Sequence, residues 1–376
     1  MKKVVILQHR LLHYRVSLFE QLHTQCLTRG IDLHLVHGQP TRRELPRNDA
    51  GTLPWADVVK NRFWEIGVRD WLWQPLPKNL HDADLIVMMQ ESRILSNYPL
   101  LLSRFWSNHK IAYWGHGINL QSDAPTGLLE QWKKLFIKKV DWWFAYTQMT
   151  VDILIKSSYP TNQITCLNNA IDTVGFKADL AQVSDADLAA ERNILGIAAN
   201  APVGIFCGSL YPDKKLAFLI AAIDFIHQQS PEFHCLVLGD GPSMPYMHEA
   251  AASRPWLHLL GVTKGTKKAL YFRMADFMLN PGLVGLHIVD AFCAGLVMAT
   301  TSGAKHSPEI AYLEAGVNGI MSADNVDEYA QAILSLIADR TLFNGYKNAA
   351  LASADIYTLD NMVDQFVDGL SRCLAH

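Results

Sequence analysis

Short β-branched and apolar runs along this chain are followed repeatedly by segments whose apolar residues recur at helical spacing. That alternation is the signature of parallel sheets covered by helices. A first series of predicted strands comprises KVVILQH (3–9), DLHLVHG (32–38), DLIVMM (84–89), KIAYWGHG (110–117), DWWFAYT (141–147) and QITCLNNAID (163–172). Between the first two, Leu18, Phe19, Leu22 and Cys26 mark one face of a helix. A polar, Ala-rich stretch without strand character, 173–200, interrupts the pattern. A second series follows: APVGIFCGSL (201–210), FHCLVLGDGP (233–242), LHLLGV (257–262), DFMLNPG (276–282) and LVMATTSG (296–303), with GVNGIM near 320 as a late, short candidate. The last segment sets Met362, Phe366 and Leu370 at helical spacing. The expectation is an α/β protein of two doubly wound halves, 1–175 and 176–355, with 356–376 a helix that packs back on the first. Ligands of such sheets bind at the carboxyl ends of the strands, so the cleft between the halves is the expected site.

Composition sharpens this. With 49% hydrophobic and 18% charged residues, 376 residues suffice for two buried cores. The apolar start of MKKVVILQHRLLHYR is broken by His9 and Arg10, so no signal peptide is expected, and no run long enough for a transmembrane helix is found. The six scattered cysteines form no C-x-x-C pair, which fits buried thiols in a reducing cytoplasm and gives a zinc site no support. The net charge of −3 is uneven: residues 1–175 carry 20 Lys and Arg against 15 Asp and Glu, the remainder 13 against 21. A basic first half suits anionic partners such as phospholipid headgroups, although surface composition alone can produce it. No basic, aromatic-interleaved motif points to nucleic acid. Neither G-x-G-x-x-G nor G-x-x-x-x-G-K-[ST] occurs, which counts against NAD enzymes and P-loop ATPases.

Candidate chemistry gathers at predicted strand ends. Gly208 and Ser209 close the strand GIFCGSL, and Lys214 stands at the turn into a helix marked by Leu216, Leu219, Ile220 and Ile223. Its ammonium is placed to reach a phosphate; the alternative is a solvated lysine at a helix start. In PGLVGLHIVDAF (281–292), Gly282 and Gly285 permit close backbone approach, and a helix predicted to begin near Leu286 offers unpaired N–H groups. Asp290, one turn in, is placed to accept from two ribose hydroxyls, though an acid there also gains from the helix dipole. In SGAKHSPEIAYLEAG, Ser307 and Pro308 suit the start of a helix, and Lys305 and His306 are open to a ligand role. In the first half, His116 sits between two glycines after a strand, and His13 and Arg15 stand at the first strand-to-helix turn, where a solvated helix start is an equal alternative. GLLEQWKKLFIKKVDWW carries the stripe Leu128, Leu129, Trp132, Leu135 and Phe136 with Lys133, Lys134 and Lys138 around it. That pattern suits a helix on an anionic membrane, or one packed on its own sheet. Trp64, Trp71 and Trp73 read as an aromatic loop, exposed or covering.

The order of these pieces resembles the GT-B-fold glycosyltransferases of family 4 (glycosyl transferases group 1). These retaining enzymes are common in bacterial polysaccharide and lipopolysaccharide assembly. HYRVSLFEQL, YWGHG, NNAID, FCGSLYPDKKLAFLIAAI, LVLGDGP, ADFMLNPGLVGLHIVDAFCAGLVMATT and HSPEIAYLEAGVNG carry the resemblance over almost the whole chain. It implies two Rossmann-like domains, the first binding the acceptor and the second a nucleotide sugar. Lys214 matches the lysine on the donor pyrophosphate. Ser209 stands in the region of the family's phosphate-binding arginine, and Val262 matches the place where backbone meets the base. Asp290 matches the second glutamate of the E-x7-E motif, with Gly282 in place of the first. Backbone N–H groups of 282–287, including Val284, Gly285 and Leu286, or the His287 side chain, are expected to meet the donor sugar in place of that glutamate. His116 matches a histidine near the transferred sugar, and His13 and Arg15 fall on the acceptor side. The resemblance implies a cytoplasmic, metal-independent, retaining transferase using a UDP- or GDP-sugar and a glycan or lipid-linked acceptor; peripheral contact with the inner face of the cytoplasmic membrane is the expectation from the lysine-rich stripe. A non-catalytic sugar-nucleotide-binding protein and a GT-B-fold epimerase are the alternatives.

Overall fold

Successive side chains of a strand point to opposite faces, so a strand covered on both sides must be apolar at every position. In β1 (Lys2–Arg10), Val4 and Ile6 enter one core cluster while Val5 and Leu7 enter another. The computed structural model describes residues 1–42, 44, 49–67, 69–117 and 136–376. It forms two units: Met1–Asp172 together with Leu359–His376, and Thr173–Thr358. The sequence boundaries were expected at 175 and 355.

The first unit holds β1, β2 (Ile31–Gly38), β3 (Asp57–Val58), β4 (Arg62–Ile66), β5 (Arg69–Trp73), β6 (Leu85–Met89), β7 (Lys110–Gly115), β8 (Trp142–Ala145) and β9 (Ile164–Cys166). Seven of these form a parallel sheet in the order β3-β2-β1-β6-β7-β8-β9. The remaining pair, β4 and β5, is an antiparallel hairpin that corrects the expected aromatic loop. Trp64 pairs with Trp71 across it, and Trp64 and Trp73 are exposed at its surface. The helix Val16–Thr28 buries Leu18, Phe19, Leu22 and Cys26 against one sheet face. The C-terminal helix Leu359–Ala375 packs on the same side, where Phe366 stacks on Phe144 at 4.5 Å and meets Trp114 edge-on at 5.0 Å. Of the lysine-rich stripe, Leu128, Leu129, Trp132, Lys133, Lys134 and Leu135 lie outside the described residues. Among the described residues no helix is long and apolar enough to cross a membrane.

The second unit holds β10 (Val203–Cys207), β11 (His234–Leu238), β12 (Leu257–Gly261), β13 (Phe277–Leu279), β14 (Val297–Thr301) and β15 (Gly319–Ser322). Their order, β12-β11-β10-β13-β14-β15, is parallel throughout. Chain direction across the sheet reverses between β10 and β13, which opens a crevice at their carboxyl ends. The Ala-rich stretch forms the helices Thr173–Gln182 and Asp185–Leu195, the second opened by a Ser184–Asp187 capping box. The expected helix after Ser307 is a 3-10 turn, Pro308–Tyr312.

Where β11 and β12 begin to pair, His234 Nδ1 lies 3.0 Å from His258 Nε2 with the rings stacked. One ring must donate and the other accept, so the two rings are not both protonated. Burial and the neighbouring His234 push the His258 pKa down to about 4, and burial also lowers that of His234. Below the unfolded value of about 6.5 the unfolded chain therefore takes up protons that the folded chain refuses. This contribution to stability is complete above that pH and is lost as the pH falls toward 4. The urea midpoint should drop between about pH 7 and about pH 5, and His258→Asn should flatten the drop. A midpoint constant across that window in the wild type would refute the assignment.

Candidate functional site

The crevice of the second unit is built by two loops. The first leaves β10 at Gly208, whose φ of +151° suits glycine, and Gly208 N–H donates to Leu238 O at 2.9 Å. Two glycines after β11 brace this loop. A Cβ on Gly239 would collide with the Gly208 carbonyl, and one on Gly241 would lie 2.5 Å from Leu210 O. Leu210 is fully buried and anchors the loop, whereas Ser209 is exposed. A 3-10 turn, Pro212–Lys214, then leads through Lys215, in the left-handed region at φ +52°, into the helix Leu216–Gln229. The two adjacent lysines part company here. Lys215 is tied outward to Asp324 at 2.6 Å, whereas Lys214 turns inward and is 5% exposed.

The second loop follows β13 and carries 280–287. Lys214 Nζ donates to Leu283 O at 2.5 Å. Asn280 Nδ2 donates to the same carbonyl at 2.8 Å and to His287 Nε2 at 2.6 Å. His287 is thus a neutral imidazole whose proton is on Nδ1. Burial first, then the nearby Lys214 and Lys268, push its pKa well below the usual histidine range. Burial also lowers the Lys214 ammonium to about 8. Among the described residues no carboxylate pairs with that ammonium, and none accepts from the backbone N–H groups of Gly285, Leu286 and His287. A buried cation without a counter-ion beside free N–H donors is suited to an anion.

Gly282 has a steric explanation. A Cβ there would stand 2.5 Å from Lys214 Cα and collide with the Asp213 carbonyl, because the second loop lies directly on the backbone of the first. Leu283 N–H seals this contact by donating to Asp213 O at 3.0 Å. No glutamate fits at 282 in this arrangement.

Three expectations are corrected. Val284 is fully buried, its N–H donates to His306 Nδ1 at 3.2 Å and its carbonyl accepts from Ser307 N–H, so it supports the loop and has no group left for a ligand. His306 is likewise a brace, since Nε2 also pairs with Thr301 O at 2.8 Å. Asp290 is not a vacant bidentate acceptor: Oδ2 is held by Lys268 Nζ at 2.6 Å. Burial alone would lower the Lys268 pKa, but the Asp290 carboxylate reverses this and raises it. Sequence reasoning missed Lys268. Its only signal was helical: Lys268 shares the face of Phe272, one turn on, and its ammonium lies 5.2 Å over that ring. Val262, beyond Gly261 (φ +65°), is 66% exposed at the carboxyl end of β12, which β11 separates from β10 in the sheet.

In the first unit, His116 stacks on Tyr146 at 6.1 Å, and the buried Arg15 guanidinium lies 6.0 Å over the same ring and 5.1 Å over Trp114. His13 is exposed, its Nδ1 lies 3.2 Å from the Asp49 carbonyl and its ring meets Tyr14 edge-on at 5.9 Å. A charged network at the ends of β1 and β6 also escaped sequence reasoning. Glu44 accepts from Arg93 and pairs with His9, both at 3.2 Å, while Glu91 accepts from Arg93 at 2.7 Å. Burial would raise the Glu91 carboxyl, but His9 and Arg93 hold it below its usual range. The signal was available: QHR closes β1 and QESR follows β6, and these two strands flank a reversal of chain order.

Gly282→Glu should destabilise the second unit by about 1–3 kcal/mol or more, since the overlap is with backbone. Thermal unfolding checks this, and a variant as stable as wild type would show that the loops are not in the contact described.

Residues 201–339 match the family model described as Glycosyl transferases group 1. The alpha-monoglucosyldiacylglycerol synthase of Acholeplasma laidlawii is 27% identical over 140 residues, covering 36% of this chain and 34% of that protein. The match therefore spans about a third of that relative's length. Anabaena HepE in complex with UDP superposes with a TM-score of 0.70 at 16% identity, covering 99% of this chain and all of the other. A sucrose-phosphate synthase from Thermosynechococcus elongatus gives 0.70 at 13% identity over the full length of both. The two Rossmann-like units are those of the GT-B fold, and the part matched by the glycosyltransferase family model lies within the unit that holds the Lys214 crevice.

Proposed function

We propose that the chain is a retaining glycosyltransferase that moves a sugar from a UDP- or GDP-sugar to a glycan or lipid-linked acceptor in bacterial cell-surface polysaccharide biosynthesis, with its first unit in contact with an anionic membrane. The observation that carries this reading is the Lys214 ammonium, buried without a carboxylate partner among the described residues, at the β10/β13 reversal. A pyrophosphate there would meet Lys214 and the N–H groups of Gly285, Leu286 and His287. The Nδ1–H of neutral His287 is a further donor toward the donor sugar or phosphate. Lys268 holds one oxygen of Asp290 and leaves the other for a ribose hydroxyl.

On this reading the acceptor hydroxyl attacks the anomeric carbon from the face that the diphosphate leaves. The bond from carbon to phosphate oxygen breaks as the new glycosidic bond forms. The acceptor proton passes to the departing phosphate, so the chain supplies no nucleophile. Its contribution is preorganised charge where negative charge develops on the leaving group. Cations and amides fill that role without a metal ion. His116 and Arg15, gathered on Tyr146, are assigned to the acceptor side with His13. Gly282 favours one second reading, a sugar-nucleotide-binding protein without turnover, because it removes a side chain from the donor sugar.

Thermal unfolding with UDP, GDP, ADP and CMP tests the site. A nucleotide at 100 times its Kd should stabilise the wild type by about 2.7 kcal/mol and leave Lys214→Ala unmoved. Affinity for that nucleotide should fall as the pH rises through about 8, where the free ammonium loses its proton, and this dependence should vanish in the variant. Stabilisation of both proteins alike would remove Lys214 from the site. Product analysis with EDTA present separates the activities: retained configuration in a glycosylated acceptor supports transfer, an epimerised donor or no turnover contradicts it.

A further inference from the structure

The helix Asn97–Ser103 buries Leu101 but leaves Leu102 54% exposed, and the turn that continues it leaves Phe105 and Trp106 84% and 74% exposed. Phe105 N–H donates to Leu102 O and Trp106 N–H to Ser103 O, which continues the helical winding and sets the three apolar side chains at i, i+3 and i+4 on one side. Two bulky aromatics this exposed, beside a leucine, are not ordinary surface scatter. Their rim is basic. The Arg104 guanidinium donates to the Lys139 carbonyl and pairs with Asp141, which brings the exposed Lys138 and Lys139 alongside the patch. Asp141 is itself engaged, accepting from Arg104 and, at 2.8 Å, from Ile111 N–H. The wider charge agrees: the first unit carries 21 Lys and Arg against 18 Asp and Glu, the second 12 against 18.

We propose that Leu102, Phe105 and Trp106 insert into the interfacial region of an anionic lipid bilayer, with Lys138 and Lys139 on its headgroups. Trp and Phe favour the headgroup boundary, and lysines beside them add attraction to anionic lipid. Arg104 acts as the strut that holds the apolar and basic parts together. This names the surface for the membrane contact in the function proposed above and needs none of its donor chemistry.

The test is co-sedimentation of the full chain with vesicles of phosphatidylcholine alone or mixed with phosphatidylglycerol, without nucleotide. Wild type should partition onto the mixed vesicles and not the neutral ones. Phe105→Ser/Trp106→Ser and Lys138→Glu/Lys139→Glu should each lower that partition about tenfold or more at unchanged thermal midpoint. Wild type that stays in solution with the mixed vesicles, or a serine variant that binds as well as wild type, overturns the proposal. Wild type that ignores vesicles but self-associates in analytical ultracentrifugation, with the serine variant monomeric, makes a second copy the occupant and equally overturns it. None of these outcomes depends on nucleotide binding, so failure here is separate from failure of the transferase reading.

Discussion

The contact at Gly282 governs the second unit's crevice. Two loops that leave different strands lie backbone on backbone there, with no side chain between them. Thr301 Oγ1 donates to Pro281 O at 2.9 Å, fixing the same loop from below. Because the loops touch, Leu283 O falls within reach of Lys214 and Asn280 together, and Asn280 then fixes the tautomer of His287. Charge, tautomer and the direction of the free N–H groups follow from that one approach.

The electrostatics around it are divided by burial. Lys268 has Asp290 and keeps its charge against desolvation, whereas Lys214 has a carbonyl and the face of Tyr211 but no carboxylate ion pair among the described residues, and burial destabilises its ammonium. The two lysines thus do different work: one fixes a carboxylate, and the other has the more to gain from an arriving anion. Lys215, next in the chain, takes the left-handed backbone and an outward ion pair that leave Lys214 as the inward residue.

Most sheet strands were legible because parallel strands covered on both sides must be apolar runs, and little else in this chain looks like them. The β4–β5 hairpin was not legible: its apolar and polar residues fall in adjacent pairs (Phe63 and Trp64, Arg69 and Asp70) instead of alternating, and the turn lacks a strong glycine-asparagine signal. At the site, the backbone-determined part was readable, since glycines and a strand-to-helix turn announce close approach. Partnerships were not. Lys268 meets Asp290 across 22 residues, and Glu44 meets Arg93 across 49. Nothing local in a sequence marks such pairs. Val284 and His306 misled for the same reason, since their positions suited a ligand while their hydrogen bonds were already spent on each other and on Ser307 and Thr301.

The C-terminal helix has a consequence for how the chain is made. Its residues Met362, Phe366 and Leu370 complete a core whose other members, Trp114 and Phe144 among them, are translated far earlier. The second unit is continuous in sequence and can close as soon as it leaves the ribosome. The first cannot. It must wait, with an aromatic face uncovered, while an entire second unit is synthesised, and that interval is where a chaperone would be needed.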